Sequence, residues 1–251
     1  MVIDGKQIAG EIIDGIGNAL QGKKLGIVVG VDDPAIESFV RIKSEVATRL
    51  GVEVVRVSVP AGAAFEELIG SCDGVIVQLP HPDADTLLAQ LPPEKDPDAL
   101  GQHPLVRTPV VVAIAEILQR ADVRVEGVRS VVVGSGRLVG VPVARFLKES
   151  GAEVTVITKT EGSFDALKNA DIVVLGAGSP GLVAPHMLKE GVVLIDAGTS
   201  ESKGKLAGDA DPACASIARV FTPVPGGVGP IAVACLFKNM QTLIARELNI
   251  S

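Results

Sequence analysis

The sequence contains no tryptophan and no tyrosine, and its six phenylalanines leave aromatic residues at 2% of 251. No proton transfer can therefore be assigned to a tyrosine hydroxyl. Cysteine is scarce as well. Cys72, Cys214 and Cys235 lie far apart, without paired or metal-ligand spacing, so reduced thiols in the cytoplasm are expected. The three histidines, His81, His103 and His186, are isolated from one another. They read as loop or surface residues, and no metal site is expected. Positive charge is in deficit: 23 Lys and Arg against 30 Asp and Glu give a net charge of −7, with no long basic run. That argues against nucleic acid as a partner. No apolar run approaches the roughly 18 residues of a membrane span, and the start, Met1-Val2-Ile3-Asp4-Gly5-Lys6, has no apolar signal core. A membrane is not an expected partner. Solenoid repeats and low-complexity segments are absent too. What remains is a chain with 47% hydrophobic and 21% charged residues, long enough for one large or two ordinary globular domains.

Glycine and proline, by contrast, are concentrated in one place. Thr222-Pro223-Val224-Pro225-Gly226-Gly227-Val228-Gly229-Pro230 holds three of each in nine residues. Proline fixes φ and removes a donor, while glycine opens conformations closed to other residues. Such a turn holds one shape and lets a ligand approach bare backbone. Residues 231–248 then read as a helix, so the turn offers free N–H groups at the positive end of that helix. An ordinary tight loop between a strand and the last helix is the competing reading.

Ahead of that turn the chain alternates helix and strand. Ile8, Ile12, Ile13, Ile16 and Leu20 recur at helical spacing. Residues 25–31 form an apolar run of strand type. Asp33-Pro34 reads as the cap and first turn of a helix running to Leu50, with Gly51 just past its end. In this helix Ile36, Phe39, Val40, Val46, Ala47 and Leu50 make one apolar stripe, and Lys43 falls in its middle. A lysine there must snorkel, find an acid partner or serve a site; if desolvated, it suits acid–base work near neutral pH. A strand is expected over 52–59. Gly74 to Leu79 reads as a buried strand stopped by Pro80. Gln78 closes it, where ligands of open α/β sheets sit, or else it caps loop backbone. A short helix over 83–90 leads to Lys95-Asp96-Pro97-Asp98, whose acids say little alone. A longer helix over 110–120 follows.

Strands are then expected at 129–133, 153–158, 171–175 and 192–195, with helical segments between, the pattern of a doubly wound parallel sheet. The first strand runs into Gly134-Ser135-Gly136-Arg137-Leu138-Val139-Gly140 and a helix over 141–150. The spacing GxGxxxG, between strand and helix, suits phosphate held by backbone N–H groups. The next strand ends in Thr158-Lys159-Thr160, where an NAD site usually has an acid for the ribose hydroxyls. Two hydroxyls and a lysine favour NADP, and Arg137 adds to the charge.

These pieces, Ile3-Asp4-Gly5-Lys6, Phe39 to Lys43, Gly74 to Pro80, Lys95 to Asp98, the Gly134 to Pro142 turn and Pro223 to Pro230, occur in order along nearly the whole chain. Together they resemble the bifunctional methylenetetrahydrofolate dehydrogenase/cyclohydrolase family. The resemblance implies two α/β domains with a cleft between them. Residues 1–110 with 232–251 would form the catalytic and folate-binding domain, and 111–231 the Rossmann-type NADP domain. It implies a homodimer that oxidises methylenetetrahydrofolate with NADP and hydrolyses the methenyl product to formyltetrahydrofolate, a step of one-carbon metabolism. By matching position, Lys43 is the catalytic lysine, Gln78 the residue that orients it, and Asp98 the acid that binds the pterin. Phe39 stacks on the pterin, and Pro225, Gly226 and Gly227 line the folate and nicotinamide sites. Gly134, Ser135, Gly136, Arg137, Val139, Gly140, Thr158, Lys159 and Thr160 bind the cofactor.

Six positions depart from the family pattern. Phe39 stands for the usual tyrosine, keeping the ring without the hydroxyl. Ala99 stands for a glycine. Ser135-Gly136 replaces the usual Arg-Ser, so the customary arginine for the 2′-phosphate is missing. Ile157 stands for a histidine, and His81 for an apolar residue. Three alternatives follow. Phe39 would suit a dehydrogenase with weakened cyclohydrolase activity. The altered phosphate turn would suit a binding paralogue without turnover. An unrelated NADP dehydrogenase for a small acid would lack the Pro-Gly-Gly loop.

Overall fold

The computed structural model describes residues 1–31, 33–58, 62–202 and 205–250. The chain divides into two compact units: Ala9–Pro109 with Val233–Ser251, and Met1–Ile8 with Val110–Ala232.

The unit containing Lys43 takes the end of α1 (Gly5–Ile16), then β1 (Lys24–Val29), α2 (Pro34–Arg49), β2 (Glu53–Val57), α3 (Ala63–Ser71), β3 (Gly74–Gln78) and α4 (Ala84–Gln90). Its three strands pair in parallel in the order β2-β1-β3. Parallel strands covered on both faces read as continuous apolar runs, and β3 is buried at every residue. The pleat splits the runs between two cores. Leu25, Ile27 and Ile76 join Ile13, Ile16, Ile36, Val40, Phe237 and Met240 on one face. Val28, Val75 and Val77 join Phe65, Leu68, Leu87 and Leu88 on the other. Asp33 caps α2 by accepting from Ile36 N at 3.3 Å. The strand expected over 52–59 is β2; Val59 lies outside the described residues.

The last helix, α7 (Val228–Ile250), supplies Phe237, Met240 and Ile244 to the first core. By length and composition its segment Val228–Glu247 is apolar enough to cross a membrane, but 56% of that window is buried inside the protein. The sequence expectation of no run of that length is corrected here: the stretch exists, and packing uses it.

The other unit carries α5 (Pro109–Arg120), β4 (Arg129–Val133), α6 (Gly140–Glu149), β5 (Glu153–Ile157), β6 (Ile172–Leu175), β7 (Val193–Asp196), β8 (Ser200–Ser202), β9 (Lys205–Ala207) and β10 (Val220–Phe221). Five strands form a parallel sheet in the order β10-β7-β6-β4-β5, and β8 and β9 pair antiparallel. The helical segments expected after β5 and β6 are only short 3-10 turns, Phe164–Asn169 and Pro185–Met187. Gly176, Gly178, Pro180, Gly181 and Pro185 leave no room for a regular helix in the second of them.

The boundaries differ from the sequence reading in three places, two of them by a single residue. Residues 1–8 belong to the unit of β10, not to the unit of Lys43. The cause is backbone pairing: Ile3 N donates to Phe221 O at 2.8 Å and Phe221 N to Met1 O at 2.9 Å. Asp4 then caps α1, its Oδ1 accepting from Lys6 N and Gln7 N at 3.1 and 3.0 Å.

Candidate functional site

In α2 the residues Ile36, Val40 and Ala47 are buried, as is Leu50 just past its end, but Phe39, expected in the same stripe, is 37% exposed. One turn later Lys43 is half-buried. It does not snorkel away, and among the described residues it has no salt bridge. Its Nζ donates to Gln78 Oε1 at 2.8 Å. An ammonium can only donate, so this contact fixes which end of the amide faces it. The other end is tied down as well: Gln78 Nε2 donates to Leu79 O at 3.0 Å. Gln78, buried at the carboxyl end of β3, thus both orients the lysine and caps loop backbone. The backbone-capping reading is seen directly in the bond to Leu79 O.

Asp98 reaches the same lysine electrostatically. Desolvation pushes its carboxyl up from the ordinary range, and the Lys43 charge pulls part of the way back. The loop that carries Asp98 is held from three sides. Lys95 Nζ donates to Ile69 O and Cys72 O at 2.6 and 2.9 Å. Asp96, 1% exposed, accepts from Gly101 N at 2.7 Å through Oδ2. Asn239, buried on α7, donates to Pro97 O at 2.9 Å and Arg107 O at 2.8 Å. Sequence reasoning missed Asp96 and Asn239. A polar residue inside the apolar α7 was the available signal. Burial raises the Asp96 carboxyl to about 6, more than the Gly101 hydrogen bond lowers it.

Of the departures from the family pattern, His81 acquires a reason and Ala99 does not. Ala99 sits at φ +54°, the left-handed region where glycine is at ease. His81 is buried rather than at the surface. Its Nδ1 accepts from Asp83 N at 3.1 Å, and its ring fills the space beside Gly30, where a Cβ would come within 2.4 Å of Cδ2.

Pro225, Gly226 and Gly227 lie in the other unit. Gly5 N donates to Gly226 O at 2.8 Å, and a Cβ on Gly5 would sit 1.9 Å from Gly227 O. The Ile3-Asp4-Gly5-Lys6 and Pro-Gly-Gly motifs are therefore two halves of one contact. In the same unit the turn after β4 is closed by backbone. A Cβ on Gly134, at φ +107°, would lie 2.5 Å from Gly176 O; one on Gly140 would lie 2.2 Å from Gly134 O. Gly136 has open space around it. Ser135, Gly136, Arg137 and Leu138 are exposed, and Val139 precedes α6. After β5, Thr158 Oγ1 accepts from Thr160 N and Glu161 N at 3.3 and 3.0 Å, and the exposed Lys159 lies between. Exposed backbone at a helix start, with a lysine and an arginine near the ends of adjacent strands, fits the phosphates of a dinucleotide.

A family model described as "Tetrahydrofolate dehydrogenase/cyclohydrolase, NAD(P)-binding domain" matches residues 108–248. The Bifunctional protein FolD of Staphylococcus aureus is 35% identical, with 98% of this chain and 96% of that protein aligned. The chain belongs to the tetrahydrofolate dehydrogenase/cyclohydrolase family. Solved structures of the family agree in fold. The Trypanosoma brucei methylenetetrahydrofolate dehydrogenase-cyclohydrolase, complexed with NADP and inhibitor, is 32% identical with a TM-score of 0.88, covering 99% of this chain and 98% of its own. The Campylobacter jejuni bifunctional enzyme is 25% identical with a TM-score of 0.91, covering 98% and 99%.

Proposed function

We propose that this protein oxidises methylenetetrahydrofolate to methenyltetrahydrofolate with NADP and hydrolyses that product to formyltetrahydrofolate. Family membership over nearly the whole chain supports the activity. The observation that carries the residue assignment is the Lys43 Nζ to Gln78 Oε1 hydrogen bond at the end of β3.

Asp98 binds the pterin, because a carboxylate accepts two parallel N–H bonds from the ring edge. Phe39, exposed on α2, stacks on it. NADP, when bound, supplies the acceptor for the hydride that leaves the methylene carbon. Ser135 to Gly140 and the start of α6 would hold its phosphates, and Thr158, Lys159 and Thr160 would serve the ribose end. Pro225 to Gly227, in the unit of the cofactor turn, take part in substrate binding. In the hydrolytic step water adds to the methenyl carbon and loses a proton. The bond from that carbon to one folate nitrogen then breaks as the nitrogen gains a proton, and the new hydroxyl releases its remaining proton to solvent, leaving the formyl C=O. Lys43 Nζ carries the proton between these two positions, while Gln78, locked at both ends of its amide, keeps the lysine from swinging out. We extend the reading to a cytoplasmic homodimer; Cys72, Cys214 and Cys235, buried and outside any disulfide, suit the cytoplasm.

Absorbance-monitored turnover of methylenetetrahydrofolate with NADP and NAD in parallel tests this. Product that forms with NADP and then decays faster than in buffer is the expected result. No product with either dinucleotide contradicts it. Phe39 favours one narrower reading, a dehydrogenase alone. Product that forms but decays at the buffer rate would select that reading.

A further inference from the structure

Two buried acids in the unit of the cofactor turn have no place in the chemistry above. Asp196 closes β7, and Asp209 lies between β9 and β10. They are 2% and 0% exposed. Among the described residues, the hydrogen-bond donors to both carboxylates are backbone N–H groups. Asp209 Oδ2 accepts from Ala177 N at 2.6 Å and Gly178 N at 3.1 Å, and its Oδ1 accepts from Ser179 N at 2.6 Å. Asp196 Oδ1 accepts from Gly198 N at 2.9 Å, and Oδ2 from Ala210 N at 2.8 Å.

The bonds join segments far apart in sequence. Residues 176–179 follow β6 and pack on the cofactor turn, with Gly176 against Gly134 and Val139. Asp209 grips that segment and also lies against Gly198, where a Cβ would be 2.3 Å from its Cγ. Gly198 N bonds Asp196, and Asp196 N donates in turn to Thr222 Oγ1 at 2.7 Å. Thr222 opens the Pro-Gly-Gly stretch, and a Cβ on Gly208 would meet both Asp196 Oδ2 at 2.2 Å and Val224 Cβ at 2.9 Å. There is no slack in this chain of contacts.

We propose that Asp209 and Asp196 are positioning residues that hold the cofactor turn and the Pro-Gly-Gly loop in one frame. The functional part of this rests on the dehydrogenase reading; the clamp itself does not. A carboxylate filling a nest of N–H groups does internally what an anion ligand does elsewhere. Asn in place of Asp209 keeps the size but removes the charge and turns one acceptor into a donor facing an N–H.

The test pairs Asp209→Asn with Thr222→Val and Thr222→Ser. Asp209→Asn is expected to raise the KM for NADP about tenfold, the scale of losing a charge-assisted hydrogen bond. At saturating methenyltetrahydrofolate its hydrolysis, which uses no dinucleotide, should stay within about twofold of wild type, a looser Pro-Gly-Gly loop raising only the folate KM. Hydrogen exchange read by mass spectrometry should quicken at 177–179 and at 226–227 together. Thr222→Val should quicken the same two segments, and Thr222→Ser, which keeps the hydroxyl, should not. Exchange that quickens at 177–179 alone, an unchanged KM for NADP, or loss of both activities in proportion overturns the clamp. A wild type that oxidises nothing overturns the dehydrogenase reading, and the exchange result still decides the clamp by itself.

Discussion

Gly5→Ala sets two physical effects against each other. Gly5 is the first residue of α1, and helix propensity alone favours alanine by about 1 kcal/mol. The packing opposes it. The new Cβ would stand 1.9 Å from Gly227 O and 2.5 Å from Gly226 O, where ordinary contact begins at 3.4 Å. Something must move by about 1.5 Å, the difference between 3.4 and 1.9 Å, and both partners are backbone. Moving them breaks the Gly5 N to Gly226 O bond, worth about 1 kcal/mol, and overpacking costs about 1–3 kcal/mol more. The net expectation is a loss of about 2 kcal/mol despite the propensity gain. Urea denaturation of the variant against wild type measures it, with the folate KM as a second readout because the displaced carbonyls belong to the Pro-Gly-Gly loop. A variant as stable as wild type, with an unchanged KM, would refute the claim that the two motifs form one contact.

Other outcomes follow from single sites. Gly134→Ala, strained in φ and 2.5 Å from Gly176 O, should weaken NADP binding at least tenfold, whereas Gly136→Ala, with open space, should leave urea stability within about 0.5 kcal/mol; equal damage from both would contradict the assignment of the turn. Asp96, raised to about 6 from 3.8, binds its proton more tightly when folded, so it favours the folded state below pH 4, and that advantage is lost as pH rises to 6. The shift of about 2 units corresponds to about 3 kcal/mol. The stability of wild type relative to Asp96→Asn should therefore fall between pH 4 and 6 in urea titrations, and a flat difference would show that Asp96 is not desolvated. Phe39→Tyr should leave stability within about 0.5 kcal/mol, since the ring is already exposed. If the missing hydroxyl limits hydrolysis, stopped-flow decay of the methenyl product will quicken; no change would free Phe39 of that charge.

Much of the fold is readable from local pattern. Residues 74–78 announce a buried strand because a strand covered on both faces has no polar side. Asp33-Pro34 and Gly51 mark both ends of α2 through capping and the left-handed stop. Lys43 is conspicuous for the same reason, a charge at the centre of an apolar stripe. Its partner is another matter: Gln78 lies 35 residues away, and no periodicity links them, so their pairing came from family resemblance alone. Long-range backbone pairing was equally hidden. Met1 N donates to Arg219 O across 218 residues, and nothing in the sequence of Met1–Ile3 distinguishes an added sheet edge from a loose terminus. The buried acids escaped notice because Asp196 and Asp209 are satisfied by N–H groups of distant loops, whereas pattern reading assigns loop acids to solvent. The helical segments expected after β5 and β6 are present only as 3-10 turns, and the glycines and prolines of the second were the available signal that no longer helix would form there.

The measurement closest to the central claim is the pair of rates for Lys43→Met: oxidation of methylenetetrahydrofolate with NADP, and hydrolysis of added methenyltetrahydrofolate. Methionine fills the lysine's space without a charge or a proton to transfer. Hydrolysis falling to the buffer rate, with oxidation still measurable, is the result this account predicts. Hydrolysis at the wild-type rate would contradict it and send the proton transfer to another residue.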